Sequence, residues 1–345
     1  MAKYLVSAIA QTTIHANGRF QDFELRGRSN KIYQELANNS KDMFPNYDTL
    51  RRSSKIPMKI DYFLNTSGAL DAGGRTHNHT GGTGDTAIMN LSWSPLGRNF
   101  SITLKQADDK TRTWQNLFNN EVYQVILSFI KGSEKLVTDY LFSNRTGVMT
   151  GDVNGSFNTG TKVYEIEAKY TDRAINTAGV VLDYNALSTF GHFIVCNGRA
   201  FEHFKFLAKQ GAQNSTNYSF QYDGLTYLLD TTLTQAAIAL DGSYTDVVFY
   251  VIPYNTVGVL DWNPQQNKGN VKTTVNQYGV FVNPIDNMRI GVHQYEARAD
   301  GTPTNGGDVQ DVVTQYQFTS DISIAHAPSS ETDRTPIMLF AVKII

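Results

Sequence analysis

His77 and His79 stand two residues apart in the glycine-rich stretch Gly73 to Gly84, where two imidazoles could share a metal ion. A metal site needs further ligands at fixed spacing, and the neighbouring sequence supplies none, so a polar loop is expected. The same stretch lacks the Gly-Lys-Ser/Thr ending with which a phosphate-binding loop grips a nucleotide. Asp152, Asn154, Ser156 and Asn158 alternate in the manner of calcium ligands. In that register the sixth position is Phe157 and the twelfth Val163, so both the glycine turn and the bidentate glutamate are missing. Neither a metal nor a cofactor is expected.

The carboxylate pairs have plain readings too. Asp108 and Asp109 precede a long apolar periodicity and read as a helix start. Glu165 and Glu167 alternate with Tyr164 and Ile166 and read as the wet face of a strand. There is no Gly-x-Ser-x-Gly elbow and no His-Glu-x-x-His. A hydrolase with a dispersed carboxylate pair stays open, because such groups meet only in the fold. Cys196, the single cysteine, lies in the apolar run Phe193 to Cys196, which predicts a buried, unreactive thiol. The aromatic and basic residues of Phe201 to Phe206 could stack on nucleic acid, but their helical spacing reads as core.

Charge carries more information than any motif. The chain is 41% hydrophobic and 18% charged with a formal net charge of -2, which suits a folded protein rich in strands and polar contact surfaces. Its longest apolar run, Val247 to Tyr254, is interrupted by Pro253 and falls far short of a membrane helix of about 20 residues, so no membrane partner is expected. Residues 1–60 hold ten basic side chains against five acidic, whereas residues 220–345 hold six against thirteen. Arg19, Arg26, Arg28, Arg51 and Arg52 are therefore the candidates for contacts with acidic neighbours or DNA. Trp93 and Phe100 are candidates for burial against another subunit.

The elements behind these residues follow from periodicity. Residues 1–56 show no sustained apolar stripe beyond short helical candidates such as Ser29 to Ala37, and read as an extended arm that orders on a neighbour. In residues 57–108, Leu91 and Trp93, then Phe100, Ile102 and Leu104, alternate as two strands. Ser94-Pro95-Leu96-Gly97 between them has the chemistry of a type I turn. From 110 to 143, Trp114, Phe118, Val122, Val125, Phe129, Leu136 and Tyr140 recur at helical steps, predicting one long helix with Gly132 as a place to bend. Tyr164 to Tyr170 alternates as a strand. Residues 191–196, 225–229 and 247–252 read as buried strands, Phe201 to Ala208 as a helix, and Tyr316 to Ile324 and Met338 to Ile345 as closing strands. The whole is α+β with strands dominating.

This order of parts, together with the stretches Gly191 to Asn197, Asp223 to Asp230, Val247 to Asn255 with Gly258, and Asp311 to Phe318, resembles the tailed-bacteriophage major capsid proteins of the Hong Kong 97 (HK97) fold. The resemblance implies an HK97-like fold with an N-terminal arm over 1–56, an E-loop hairpin over 57–108, and a spine helix with the first part of the P-domain over 109–186. It further implies an A-domain over 187–290 and returning P-domain strands over 291–345. It implies a non-enzymatic virion protein, assembled in the host cytoplasm, whose copies form hexamers and pentamers of an icosahedral head around double-stranded DNA. Since the chain starts almost directly at the arm, the resemblance implies a separate scaffolding protein or an arm that has been trimmed; portal and decoration proteins are further implied partners. The competing readings are another virion component, either a double-jelly-roll capsid protein or a tail-tube subunit, and the hydrolase. Neither virion alternative needs a long amphipathic helix at 110–143.

Overall fold

In the computed structural model, residues 30–63, 86–103, 114–187, 191–210, 219–222, 225–265, 276–283, 285–298, 312–329 and 331–344 are described, and the account below concerns these. The helices are α1 (Lys31–Met43), α2 (Tyr47–Arg51), α3 (Trp114–Ser143), α4 (Ala174–Tyr184), α5 (Gly198–Gln210) and α6 (Leu233–Leu240). The strands are β1 (Lys59–Phe63), β2 (Thr86–Asn90), β3 (Trp93–Thr103), β4 (Gly155–Asn158), β5 (Val163–Glu167), β6 (His192–Cys196) and β7 (Ser219–Tyr222). They continue with β8 (Leu225–Leu229), β9 (Val248–Pro253), β10 (Val257–Trp262), β11 (Asn276–Val282), β12 (Arg289–Arg298), β13 (Val312–His326) and β14 (Met338–Lys343).

The periodic stretch becomes α3, a helix of 30 residues and hence about 45 Å. Its stripe of Phe118, Val122, Val125, Ile126, Phe129, Ile130, Val137 and Leu141 is buried. Gly132 serves packing: a Cβ there would lie 3.1 Å from Leu96 Cδ2 of β3, so the missing side chain lets the strand approach the helix. Asp108 and Asp109, expected to start this helix, lie outside the described residues.

Two sheets lean on α3. One has seven strands in the order β4-β5-β14-β9-β6-β8-β7, with β14/β5 and β6/β8 parallel and the other pairs antiparallel. Alternation along β9 explains its unbroken apolar run. Val248, Tyr250 and Ile252 face the core shared with α3 and α6, while Phe249 and Val251 face a second core beneath α4 and α5. A strand covered on both faces has no position left for a polar residue. Cys196 is fully buried in that second core, and burial raises its thiol pKa well above the usual range. The other sheet has five strands, β10-β13-β12-β11 with β3 on the free edge of β13. Its inner face presents Phe100, Tyr316 and Phe318 to Phe118 of α3.

Several expectations are corrected. Ser94 to Gly97 makes no turn: Trp93–Thr103 is one strand, paired with β13 from Trp93↔Ser323 to Thr103↔Val313. Eleven successive pairings outweigh the turn chemistry, and Pro95 is tolerated because β3 is an edge. The hairpin of this region is instead β1 with β2, registered from Lys59↔Asn90 to Phe63↔Thr86. The strand at Tyr164 stops at Glu167, and Ala168–Arg173 is a 3-10 helix. Glu165 is not on a wet face: its carboxylate accepts from Lys343 Nζ at 2.8 Å, Tyr244 Oη at 2.6 Å and Asn158 Nδ2 at 2.7 Å.

Strand pairing ties residues 187–290 to the closing strands, since β10 and β11 pair with β13 and β12, and β14 pairs with β9. The segment from Asn30 to Arg52 is not an arm without a core, because Ile32, Tyr33, Leu36 and Phe44 are buried in this chain's own interior.

Helix α1 crosses β10 at Gly258, where a Cβ would come within 2.8 Å of Met43 Sδ and Phe44 Cε2. Ser40 Oγ, just beside, accepts the Val259 N–H at 2.6 Å. Gly258→Val should therefore force the helix off the strand and destabilise the protein by about 1–3 kcal/mol, the usual range for overpacking. Chemical denaturation would measure it, and an unchanged midpoint would refute this packing.

Candidate interaction surfaces

The residues with catalytic potential are occupied by structural work. Among the described residues no group of three His, Cys, Asp or Glu could hold a metal. His77 and His79 lie outside the described residues. In the calcium-like stretch, Asn154 Nδ2 donates to Thr177 Oγ1 at 2.9 Å, and Asn158 Oδ1 accepts the Gly160 N–H at 3.0 Å. Asp230, raised by burial, accepts from Thr232 N and Oγ1 at 2.8 and 2.7 Å ahead of α6.

The most perturbed carboxylates hold the N-terminal segment. Helix α1 has no side-chain cap from its own N-cap residue, Asn30, and no acidic residue in its first turn. Its first amides need acceptors. Glu134 of α3 supplies them: Oε2 accepts the Tyr33 N–H at 3.1 Å and Oε1 the Ile32 N–H at 3.4 Å. Asn30, fully buried, donates through Nδ2 to Ser133 Oγ at 3.0 Å and to Asp286 Oδ2 at 2.7 Å. Burial pushes Glu134 up to about 7, against the two amide bonds that favour its charge and with a smaller push from Asp230. Burial likewise raises Asp286 to about 6, opposed by the Met288 amide and Asn30.

The expected contact residues fare differently. Arg51 is committed inside the chain: Nε and Nη2 meet the Asp261 carboxylate at 2.5 and 2.7 Å, and the guanidinium lies over the Tyr47 ring at 5.2 Å. Burial disfavours its charge, and Asp261 more than restores it. Arg52, next in the chain, is exposed. Trp93 is half-buried and donates Nε1 to Pro57 O at 2.6 Å. Phe100 stacks between Tyr316 and Phe318, with centroids 5.0 and 5.7 Å away. Both aromatics take part in this chain's own packing. Arg19, Arg26 and Arg28 lie outside the described residues.

The surfaces left open are elsewhere. The β1–β2 pair is a sheet of two strands, rooted by Ile60, Met89 and Leu91 on Phe44, Tyr47 and Leu260. Met58 and Ile88, at its base and on its outer face, are 56% and 54% exposed. Neither stands out in the sequence, because a single apolar residue in a short strand reads equally as core. Glu134 is hidden similarly: nothing in its neighbourhood distinguishes it from an ordinary solvated helix residue.

No protein-family model and no curated protein matches the sequence. Among solved structures, the chain is similar to one in the cyanophage Pam1 capsid asymmetric unit, at 12% identity and a TM-score of 0.47, covering 92% of this chain and 93% of that one. It is also similar to a chain of the cyanophage A-1(L) capsid asymmetric unit, at 11% identity and a TM-score of 0.47, with coverage of 91% and 93%. A chain of the Ralstonia phage GP4 capsid matches at 8% identity and a TM-score of 0.44, with coverage of 88% and 90%.

Glu134 and Asp286 give the junction a definite pH dependence. Their folded pKa values lie above the ordinary ones, so the folded protein binds more protons than the unfolded chain between about 4 and 7. Stability is fully favoured below that window and declines as pH rises through about 6 and then 7. Glu134→Gln keeps an acceptor for the α1 amides and removes one titration. Its unfolding midpoint should fall less than the wild type's between pH 5 and 7.5; parallel profiles would refute the assignment.

Proposed function

We propose that this chain is the major capsid subunit of a tailed bacteriophage, assembling with its own copies into hexamers and pentamers of an icosahedral head that encloses double-stranded DNA. The virion is its place of action, assembly occurs in the host cytoplasm, and its role is structural rather than catalytic. One observation carries the reading: the β1–β2 hairpin stands as a two-stranded sheet beside an otherwise complete core. Two strands are barely stable in water and gain stability from a further surface. Here the hairpin has no third strand among the described residues, and its exposed Ile88 offers apolar area to a neighbour, as does Met58 at its base.

The long helix supports the same reading. It packs directly on β3 and β13 of the five-stranded sheet and shares a core with β6, β8 and β9 of the other. The element order with one helix of 30 residues and two parallel strand pairs does not suit a double jelly roll, whose strands are antiparallel. Scaffolding, portal and decoration proteins belong to this proposal as partners of the assembled head.

Electron microscopy of the purified full-length protein should show closed shells. Ile88→Asp should leave the unfolding midpoint within about 0.5 kcal/mol of wild type, as for other exposed positions, yet abolish shells and leave small oligomers in sedimentation. A wild-type chain that stays monomeric at every concentration would overturn the proposal. Shells formed equally well by Ile88→Asp would remove the hairpin from the contact.

A further inference from the structure

The geometry points to a cationic strap, residues 51–59 with Arg289 beside it, as the surface on which this subunit receives the phosphodiester backbone of double-stranded DNA. Arg51, Arg52, Lys55 and Lys59 fall within nine residues without an acidic side chain between them. Such a run is usually a solvated linker, and here it is held in place. Trp262 of β10 donates Nε1 to Ser53 O at 3.1 Å, and Trp93 of β3 donates Nε1 to Pro57 O at 2.6 Å. Ser53 Oγ closes a further turn on Leu50 O at 2.9 Å and Lys55 O at 2.5 Å. Two indoles from two strands thus fix the backbone of the strap, while Arg52, Lys55 and Lys59 remain exposed.

Arg51 is the positioning residue rather than a ligand. Its guanidinium takes both oxygens of Asp261, and Asp261 Oδ2 also accepts the backbone N–H of Arg289 at 3.0 Å. A single buried carboxylate therefore ties the start of the strap to the start of β12 and brings Arg289 alongside. The Arg289 guanidinium is held below the usual arginine range by burial first and then by the charge of Arg51, with Asp261 acting in the opposite direction and Arg52 adding a smaller push.

Preorganised, exposed and single-signed charge on a fixed backbone is what a regular polyanion rewards: it loses little side-chain and backbone freedom on binding, and the gain comes from released counterions. The alternative partner is the acidic C-terminal third of a second copy, where residues 220–345 hold thirteen acidic side chains against six basic. The inference rests on the reading of a DNA-enclosing shell, and it fixes which face of the subunit turns inward.

The test uses the purified full-length chain and a duplex of about 20 base pairs, with affinity followed by fluorescence anisotropy against salt. Arg52→Gln with Lys55→Gln removes two exposed charges and should lower the slope of log K on log salt by about 2, at roughly 0.9 per phosphate contact. Arg52→Lys with Lys55→Arg should keep the wild-type slope. An unchanged slope in the glutamine variant, or a wild type that ignores the duplex, overturns the inference. Loss of shells in the glutamine variant with unchanged DNA binding also overturns it, and assigns the strap to a contact between copies. A wild type that binds through the strap yet never forms shells would leave the inference standing and remove the shell reading.

Discussion

Much of this architecture depends on one buried carboxylate meeting the open end of one helix. Helix α1 begins without a cap of its own, and its first amides point into the interior. An unsatisfied buried amide costs on the order of 1–3 kcal/mol, and two of them would undock the helix. Glu134 meets both, but only by leaving water, which is why its proton affinity rises. The compromise explains why α3 cannot be replaced by any apolar rod. It must carry an acceptor at position 134 and a hydroxyl at Ser133 for Asn30, directly after Gly132, which admits Leu96. The same stretch of helix therefore fixes the N-terminal segment on one side and the five-stranded sheet on another.

Asp286 and Asp261 extend the principle. Each belongs to the later part of the chain, and each receives a donor from the earlier part: Asn30 for one, Arg51 for the other. The charge asymmetry along the sequence, basic early and acidic late, is thus partly internal. Some of those opposite charges pair within the chain before any neighbour is met. A buried pair such as Arg51 with Asp261 contributes little net stability after desolvation, but it fixes geometry, because removing either partner strands the other.

What was legible in the sequence follows from this. Periodic signals survived intact: α3, α5 and the doubly buried strands β6, β8 and β9 were readable because their faces are set by repeating burial. Signals that depend on a distant partner were not. Ser94 to Gly97 has the residues of a turn, yet β13 recruits it as strand, and no local window contains β13. The N-terminal segment has only Ile32, Tyr33, Leu36 and Phe44 as its stripe, too short to mark a docked helix beside so many polar residues. The local sequence likewise gives no sign of the partners that Arg51, Trp93 and Phe100 find in Asp261, Pro57 and Tyr316, which lie 36 or more positions away.

This division also bears on where binding can occur. The apolar faces of the periodic elements are mostly buried within the chain, with Tyr184 of α4 and Phe206 of α5 left exposed. Two further features are not governed by periodicity: a hairpin with no third strand among the described residues, and a basic strap pinned by two indoles. They adjoin at Met58, so the hairpin root and the strap share one rigid base formed by Phe44, Tyr47, Leu91 and Leu260. A contact made by the hairpin would accordingly orient the strap without any further motion, because both are referred to the same buried cluster. Shape and electrostatics at this corner of the molecule are set together, by residues that themselves touch neither partner.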